Sequence, residues 1–353
     1  MSLIIKNRLM VVPKPGKLIV VGICLVAIMA GIWGYRLYND IYKNNVKKTG
    51  MLYIPTGADF QQVVDSLKEG DFLNKISSFQ WVANKKSYPQ KIRSGAYLVK
   101  EGWSNNKLID LLRQGIQMPV KVTFNNIRFK EELAARLAYY LEPDSAAFLS
   151  ALNNDKIASD MGFTRESFPM IFIPNTYEIY WDISPAKFIM KMKWEYDQFW
   201  TESRKKKAAD MGLSTLQVVT IASILQEETN KNDEKSRMAG VYINRYKRGW
   251  LLQADPTIKY ALGNFQLKRI LTEDLTIDSP YNTYKYAGLP PGPINFPDIA
   301  SVDAVLNAEQ HDFMYFCAKE DFSGYHNFAR SLAEHNRNAA RYQRELNKSK
   351  IWR

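Results

Sequence analysis

The sequence predicts an α+β protein with one N-terminal transmembrane helix, a small α+β module and a larger mixed α+β domain. Three observations carry this expectation. The run from Leu18 to Tyr35 is uncharged, long enough to span a bilayer, and ends in Trp33 and Tyr35 as interface anchors. Residues 51–117 hold two successive strand-then-helix patterns. Beyond residue 119, helical periodicity dominates and is interrupted by rigid, Pro-rich polar loops. A length of 353 residues with 46% hydrophobic and 13% aromatic content is enough for two or more folded domains and excludes general disorder.

The apolar run exceeds an ordinary signal-peptide core and has no A-x-A-like site after it, which favours an anchor over a cleaved signal. Cys24 follows a bulky Ile23, unlike a lipoprotein site. Charge does not orient the helix: Lys6, Arg8, Lys14 and Lys17 precede it, while Arg36, Lys43, Lys47 and Lys48 follow it.

In the module, Met51–Ile54 reads as a strand, Pro55-Thr56-Gly57 as a turn and Asp59–Glu69 as an amphipathic helix. Ser94–Val99 is the second strand and Ser104–Arg113 the second helix, with Ser104 as its cap and Leu108, Leu111 and Leu112 on one side. Tyr97 and Trp103 are candidates for stacking on a sugar or for the core.

In the larger domain a strand from Pro119 to Phe124 precedes helices at Lys130–Leu141 and Asp144–Leu152. The stretch Phe172–Tyr177 is aromatic and broken by Pro174, and helical periodicity resumes from Ser184 to Arg204. Ser214, with Gln217 three residues on, forms a capping-box signature and starts a helix near Thr215. This helix stays apolar until Glu227-Glu228 close it. At about 100° per residue, Ile221, Ile224 and Leu225 fall within about 60° of Glu228, whereas Glu227 points toward Thr220 and Ser223. A carboxyl among apolar neighbours is disfavoured in its ionised form, so its pKa rises and it can deliver a proton near neutral pH. Glu228 is therefore the candidate general acid; the alternative is a helix-terminal Glu that simply reaches solvent.

Lys235–Arg248 reads as a helix with Met238, Val241, Tyr242 and Arg245 at helical spacing and Gly249 as its stop. Three polar loops follow: Gln253–Thr257, Ser279–Tyr284 and Gly288–Ile294. Their prolines fix the backbone, and hydrogen-bonding groups on rigid loops suit a carbohydrate site. Met314–Ala318, a Ser323-Gly324 turn and Tyr325–Phe328 read as a hairpin, and Ser331–Asn347 as a closing basic helix.

A formal charge of +12 suits anionic lipid or an acidic polymer. Nucleic acid is not expected, because no helix-turn-helix, zinc-finger or RNA-binding aromatic motif is present. Cys24 and Cys317 are not expected to pair. His311, His326 and His335 lack zinc-ligand spacing, so neither a metal nor another cofactor is expected.

The ordered motifs Ala222-Ser223-Ile224, Glu228-Thr229, Val241–Arg245, Gln253–Thr257 with Tyr260, Ser279–Tyr284, Gly288–Gly292, His326-Asn327-Phe328 and Glu334-His335-Asn336 resemble the endolytic murein transglycosylases, the MltG or YceG-like family. The resemblance runs from about Met51 to the C-terminus. It implies a cytoplasmic tail at 1–17, a transmembrane helix at 18–38, a LysM-like module at 50–118 and a catalytic domain at 119–348 on the periplasmic side of the inner membrane. It implies endolytic cleavage of nascent peptidoglycan glycan strands, with penicillin-binding synthases as plausible partners. The family's catalytic glutamate, just before the motif Thr, matches Glu228. Gln253, Asp255, Thr257, Tyr281, Asn282, Thr283, His326 and Tyr177 form the expected substrate-binding set. Gln253, Tyr281 and Asn282 are expected to ease positive charge at the sugar, and Asp255 to shape its loop by bonding backbone N–H groups. Two departures stand out: Gln226 and Asn175 occupy positions where relatives often carry an acid.

As an acid in a lytic reaction, Glu228 protonates the glycosidic oxygen and then, as carboxylate, takes the C6 hydroxyl proton as that oxygen attacks C1. A hydrolase, with Asp255 as second carboxylate, and a non-catalytic glycan-binding scaffold are the rival readings.

Overall fold

The computed structural model describes residues 15–267 and 269–348, and only the backbone at residues 15–18 and 21. Most of the expected tail, residues 1–17, lies outside the described residues. The chain divides into two compact units, the first ending at Pro119 and the second beginning at Val120.

The first unit opens with a 28-residue helix, α1 (Pro15–Tyr42). Ile19, Ile23, Val26 and Trp33 are more than half exposed along it. Among the described residues, no single helix is long and apolar enough to cross a membrane; Leu18 and Val21 of the expected span are outside the described side chains. Two antiparallel strands, β1 (Gly50–Ile54) and β2 (Gly95–Val99), enclose α2 (Phe60–Glu69) and α3 (Ile76–Lys85), and α4 (Asn105–Gln114) follows. The capping box of Asp59 with Gln62 starts α2, and the Ser104 side chain accepts from Lys107 N–H to start α4. Leu52, Ile54, Val64, Leu67, Phe79, Tyr97 and Leu108 share one core. Tyr97 takes the core role of its two alternatives, with its hydroxyl donating to the carbonyls of Arg93 and Ser94.

In the second unit β3 (Val120–Phe124) pairs antiparallel with β4 (Asn175–Ile179). Between them lie α5 (Lys130–Tyr140), α6 (Ser145–Leu152) and α7 (Asp155–Asp160). The aromatic stretch expected only as a helix break thus supplies a strand, with Pro174 just before it. The helical pattern of 184–204 is two helices, α8 (Pro185–Phe199) and α9 (Glu202–Asp210). Thr201 separates them because its side chain accepts from Arg204 N–H and caps α9.

Helix α10 (Thr215–Glu228) runs through the core, flanked by α9, α11 (Asn232–Lys247), α12 (Asp255–Ala261) and α13 (Ile299–Leu306). Its Ser214–Gln217 capping box forms as the sequence predicts. Every residue from Val218 to Leu225 is buried, so the Thr220–Ser223 aspect, read as more polar, is interior as well. Ser223 is satisfied there, donating to Thr220 O at 2.7 Å and accepting from Ile294 N–H at 3.0 Å. The last elements are the antiparallel hairpin β5 (Tyr315–Ala318) and β6 (His326–Ala329), backed by α14 (Leu332–Lys348).

Candidate active site

The extended backbone of Thr229 ends α10 and leaves Glu227 and Glu228 on its last turn. They enter different surroundings. Glu228 Oε1 accepts from the Tyr242 hydroxyl at 2.6 Å. Helical spacing explains the partner: α11 buries Met238, Val241, Tyr242 and Arg245, so Tyr242 lies on the face turned to α10. Burial pushes the Glu228 carboxyl up to about 7, and the nearby charge of Asp255 pushes the same way. The Tyr242 hydrogen bond and the cations Lys259 and Arg245 oppose the rise without cancelling it. Burial and the Glu228 charge together hold the Tyr242 phenol well above its ordinary range, so it stays a donor. Because that donation occupies Oε1, the transferable proton belongs on Oε2.

Tyr242→Phe is an informative change. It removes an interaction that lowers the Glu228 pKa, so the carboxyl should stay protonated to higher pH. The alkaline limb of the kcat/KM profile is expected to move up by about one pH unit, with a plateau about tenfold lower from the loss of positioning. An unmoved limb would show that Tyr242 does not govern the acid.

The groups around Glu228 come from three further segments. Arg245 donates to Met314 O at 2.7 Å and to Leu252 O at 2.6 Å, fixing the chain that enters the 253–257 loop. Gln253 adopts φ +51, an uncommon conformation for a residue with a side chain, and its N–H donates to Thr283 O. Asp255 begins α12 rather than lying in a loop, with Pro256 in the first turn, where its missing N–H costs nothing. The Asp255 carboxylate accepts from the Tyr284 hydroxyl, not from backbone N–H groups as expected. That backbone role falls to Thr283, whose hydroxyl accepts from Ala254 N–H at 3.0 Å.

The expected binding residues therefore sort by exposure. Gln253 and Asp255 are exposed, the Asp255 charge bearing on the acid, and Tyr281 is half-buried against Tyr260, with ring centroids 4.6 Å apart. Thr257, Thr283 and Asn282 are buried and build the loops. Asn282, expected to face the sugar, uses its amide on Leu275 O and Ile277 O, and its Oδ1 accepts from Tyr284 and Lys285 N–H. His326 is likewise set back. It pairs with Glu234 Oε2 at 2.8 Å and meets Phe316 edge-on, which in turn meets Tyr242 edge-on. Tyr177 is elsewhere: in β4 it stacks on Phe124 and donates to Ile173 O, so it is a core residue.

The two departures also find their places. Gln226 Oε1 accepts from Asp298 N–H at 2.6 Å, at the start of α13. A carboxylate oxygen could accept the same bond, so the amide serves there. Asn175 is exposed and its Oδ1 accepts from Thr176 N–H.

The sequence placed Tyr242 and Arg245 at helical spacing on one helix and Tyr284 in a motif without giving any of them a role at the acid, and left Lys259 unnamed. The signal for Tyr242 was available: it shares the buried face of α11 with Val241 and Arg245.

The chain matches a model of the YceG-like family over residues 52–341. It is 28% identical over 328 residues to a Bacillus subtilis protein named endolytic murein transglycosylase, covering 89% of this chain and 90% of that one. A protein of the same name from Streptococcus pneumoniae is 26% identical over 351 residues, 88% of this chain and 62% of its own length. The crystal structure of a YceG-like protein from Listeria monocytogenes superposes with a TM-score of 0.54 at 25% identity, covering 82% of this chain and 98% of that one.

Proposed function

The chain belongs to the YceG-like family, and from that premise we propose that it is a membrane-anchored endolytic peptidoglycan lytic transglycosylase. It cuts the bond between N-acetylmuramic acid and N-acetylglucosamine inside nascent strands and leaves 1,6-anhydro ends. The observation that carries the mechanism is the Glu228 carboxyl, raised to about 7 and held through Oε1 by Tyr242. At neutral pH such a group is divided between its two forms, as one residue serving as acid and then base requires. The proton on Oε2 goes to the glycosidic oxygen as the C1–O bond breaks. The carboxylate then takes the C6 hydroxyl proton while O6 closes on C1. Attack from within the sugar needs no activated water, so one carboxylate suffices.

Asp255 supports the second reading, hydrolysis, because its charge bears on Glu228. The mass of the products separates the two. Anhydro-muramic ends from purified strands are expected, whereas reducing muramic ends carrying an added water as the main product would replace the lytic reading with hydrolysis.

The β1-α2-α3-β2 order and antiparallel pairing support a LysM-like module ahead of the catalytic unit. The exposed apolar side chains of α1 support the anchor, and the peptidoglycan substrate of this reading puts the site on the periplasmic side, facing emerging strands. Full-length chain should stay with membranes through an alkaline carbonate wash, and its release would remove the anchor.

A further inference from the structure

Helix α11 ends in a turn that presents an aromatic ring the mechanism above does not use. Gly249 takes φ +67 and its N–H donates to Tyr246 O, while the next N–H, of Trp250, reaches back to Arg245 O. In this kind of helix stop a glycine reverses the chain, and the side chain after it packs back toward the last turns of the helix. Trp250 meets Tyr315 of β5 edge-on, with ring centroids 6.0 Å apart, and remains 43% exposed. Tyr315 in turn stacks on His335 of α14 at 5.3 Å and 25°. The His335 Nδ1 is buried without a partner among the described residues, and burial, helped by the Arg245 charge, pushes the imidazole pKa down. The ring that braces Tyr315 is therefore uncharged at neutral pH. The Trp250 indole N–H and the Tyr315 hydroxyl have no hydrogen-bond partner among the described residues.

Arg245 ties this cluster to the acid. Its guanidinium lies 5.4 Å from the centre of the Tyr315 ring, and its charge bears on Glu228. The two carbonyls it holds are those of Met314, one residue before Tyr315, and Leu252, two residues after Trp250. Leu252 leads directly into Gln253 and on to Asp255. One buried side chain thus fixes both ring-bearing segments and the segment that carries Asp255.

A single exposed aromatic is ordinary on a protein surface. Here the exposed ring is one of three in contact, set by a helix stop and joined to the catalytic framework through Arg245. Rings held in this way lose little freedom when a ligand covers them. Half-exposed, uncharged rings with an N–H and an O–H to offer suit the C–H face of a pyranose and its hydroxyls. A strand cut internally continues past the scissile bond in both directions, so its further sugars need a surface beyond the acid. We propose that Trp250 and Tyr315 form a distal glycan subsite, on which a pyranose beyond the two that share the scissile bond stacks through its C–H face. This rests on the peptidoglycan reading above. It favours long strands and internal cuts.

The test uses full-length chain in detergent and a peptide-free murein octasaccharide as the binding probe. On a Glu228→Gln background, which prevents cleavage, Trp250→Ala is expected to weaken probe binding about tenfold, and Trp250→Phe, which keeps a ring, no more than about threefold. With the acid intact, Trp250→Ala should raise KM for long strands by about tenfold, change kcat less than twofold and leave the alkaline limb of the kcat/KM profile in place, because Arg245 and Tyr242 remain. Unchanged affinity and KM would overturn the subsite, as would equal losses in the Ala and Phe variants. A fall in kcat with a moved limb would also overturn it, by showing that Trp250 acts only through the Arg245 framework. If the wild-type chain bound the probe in a Trp250-dependent way but cut no strand, the subsite would stand and the transglycosylase reading would fall.

Discussion

Glu228→Gln is expected to lower strand cleavage by at least about a thousandfold, because the amide cannot supply the proton that a positioned general acid contributes. The same change should leave the fold intact and strengthen it at alkaline pH. The native carboxyl titrates at about 7 against 4.5 as its ordinary value. Below the ordinary value both folded and unfolded chains hold the proton, and the site is stable. Between the two values only the folded chain holds it, so stability falls as pH rises through about 7. Above that, the native state contains a buried carboxylate whose burial destabilises it by about 3 kcal/mol relative to the neutral form. Glutamine carries no such penalty and, like the carboxyl, can accept from Tyr242 through its side-chain oxygen. Denaturant unfolding should therefore show the variant more stable than wild type at pH 8, with the advantage vanishing near pH 4. Retained cleavage would remove Glu228 from the mechanism, and a stability difference independent of pH would remove its raised pKa.

The sequence made Glu228 legible because two local rules agree there. Ser214 with Gln217 set the start of the helix, and an apolar helix closed by carboxylates marked its end. Elements built on distant pairing were harder to see. Strand β4 finds β3 more than fifty residues away, and Pro174 beside it hid the pattern. Helix α12 looked like a loop because Pro256 suggested a turn, although proline is equally at home in a first helical turn. Helix α13, capped by the Asp298 side chain, is only 8 residues long. Polar loop residues posed the deepest ambiguity. The composition of Ser279–Tyr284 cannot say whether an amide faces a sugar or the chain's own carbonyls, and Asn282 faces the carbonyls. Asp255, expected to organise a loop through backbone N–H groups, instead opens α12 and takes the hydroxyl of a tyrosine 29 residues away, which no local rule predicts.

Arg245→Met is expected to have the largest effect on stability, about 3–5 kcal/mol, through two buried carbonyls rather than through an ion pair. Arg245 is 8% exposed and donates to both Met314 O and Leu252 O. Methionine fills much of the space but donates nothing, so each carbonyl loses its charged donor in a site water does not reach. Lysine keeps the charge but lacks the planar fork that spans both acceptors, so Arg245→Lys should recover less than half of the loss. The damage also reaches the chemistry. Leu252 precedes Gln253, whose φ of +51 must be held by its surroundings, and release of that segment would unseat Asp255 as well. Arg245 also opposes the rise of the Glu228 pKa, so its removal should carry the alkaline limb of activity to higher pH, in the same direction as Tyr242→Phe. Urea unfolding at pH 7 together with a kcat/KM profile separates these effects. A loss under about 1 kcal/mol would show that the two carbonyls find other donors, and an unmoved limb would show that the guanidinium charge does not reach the acid.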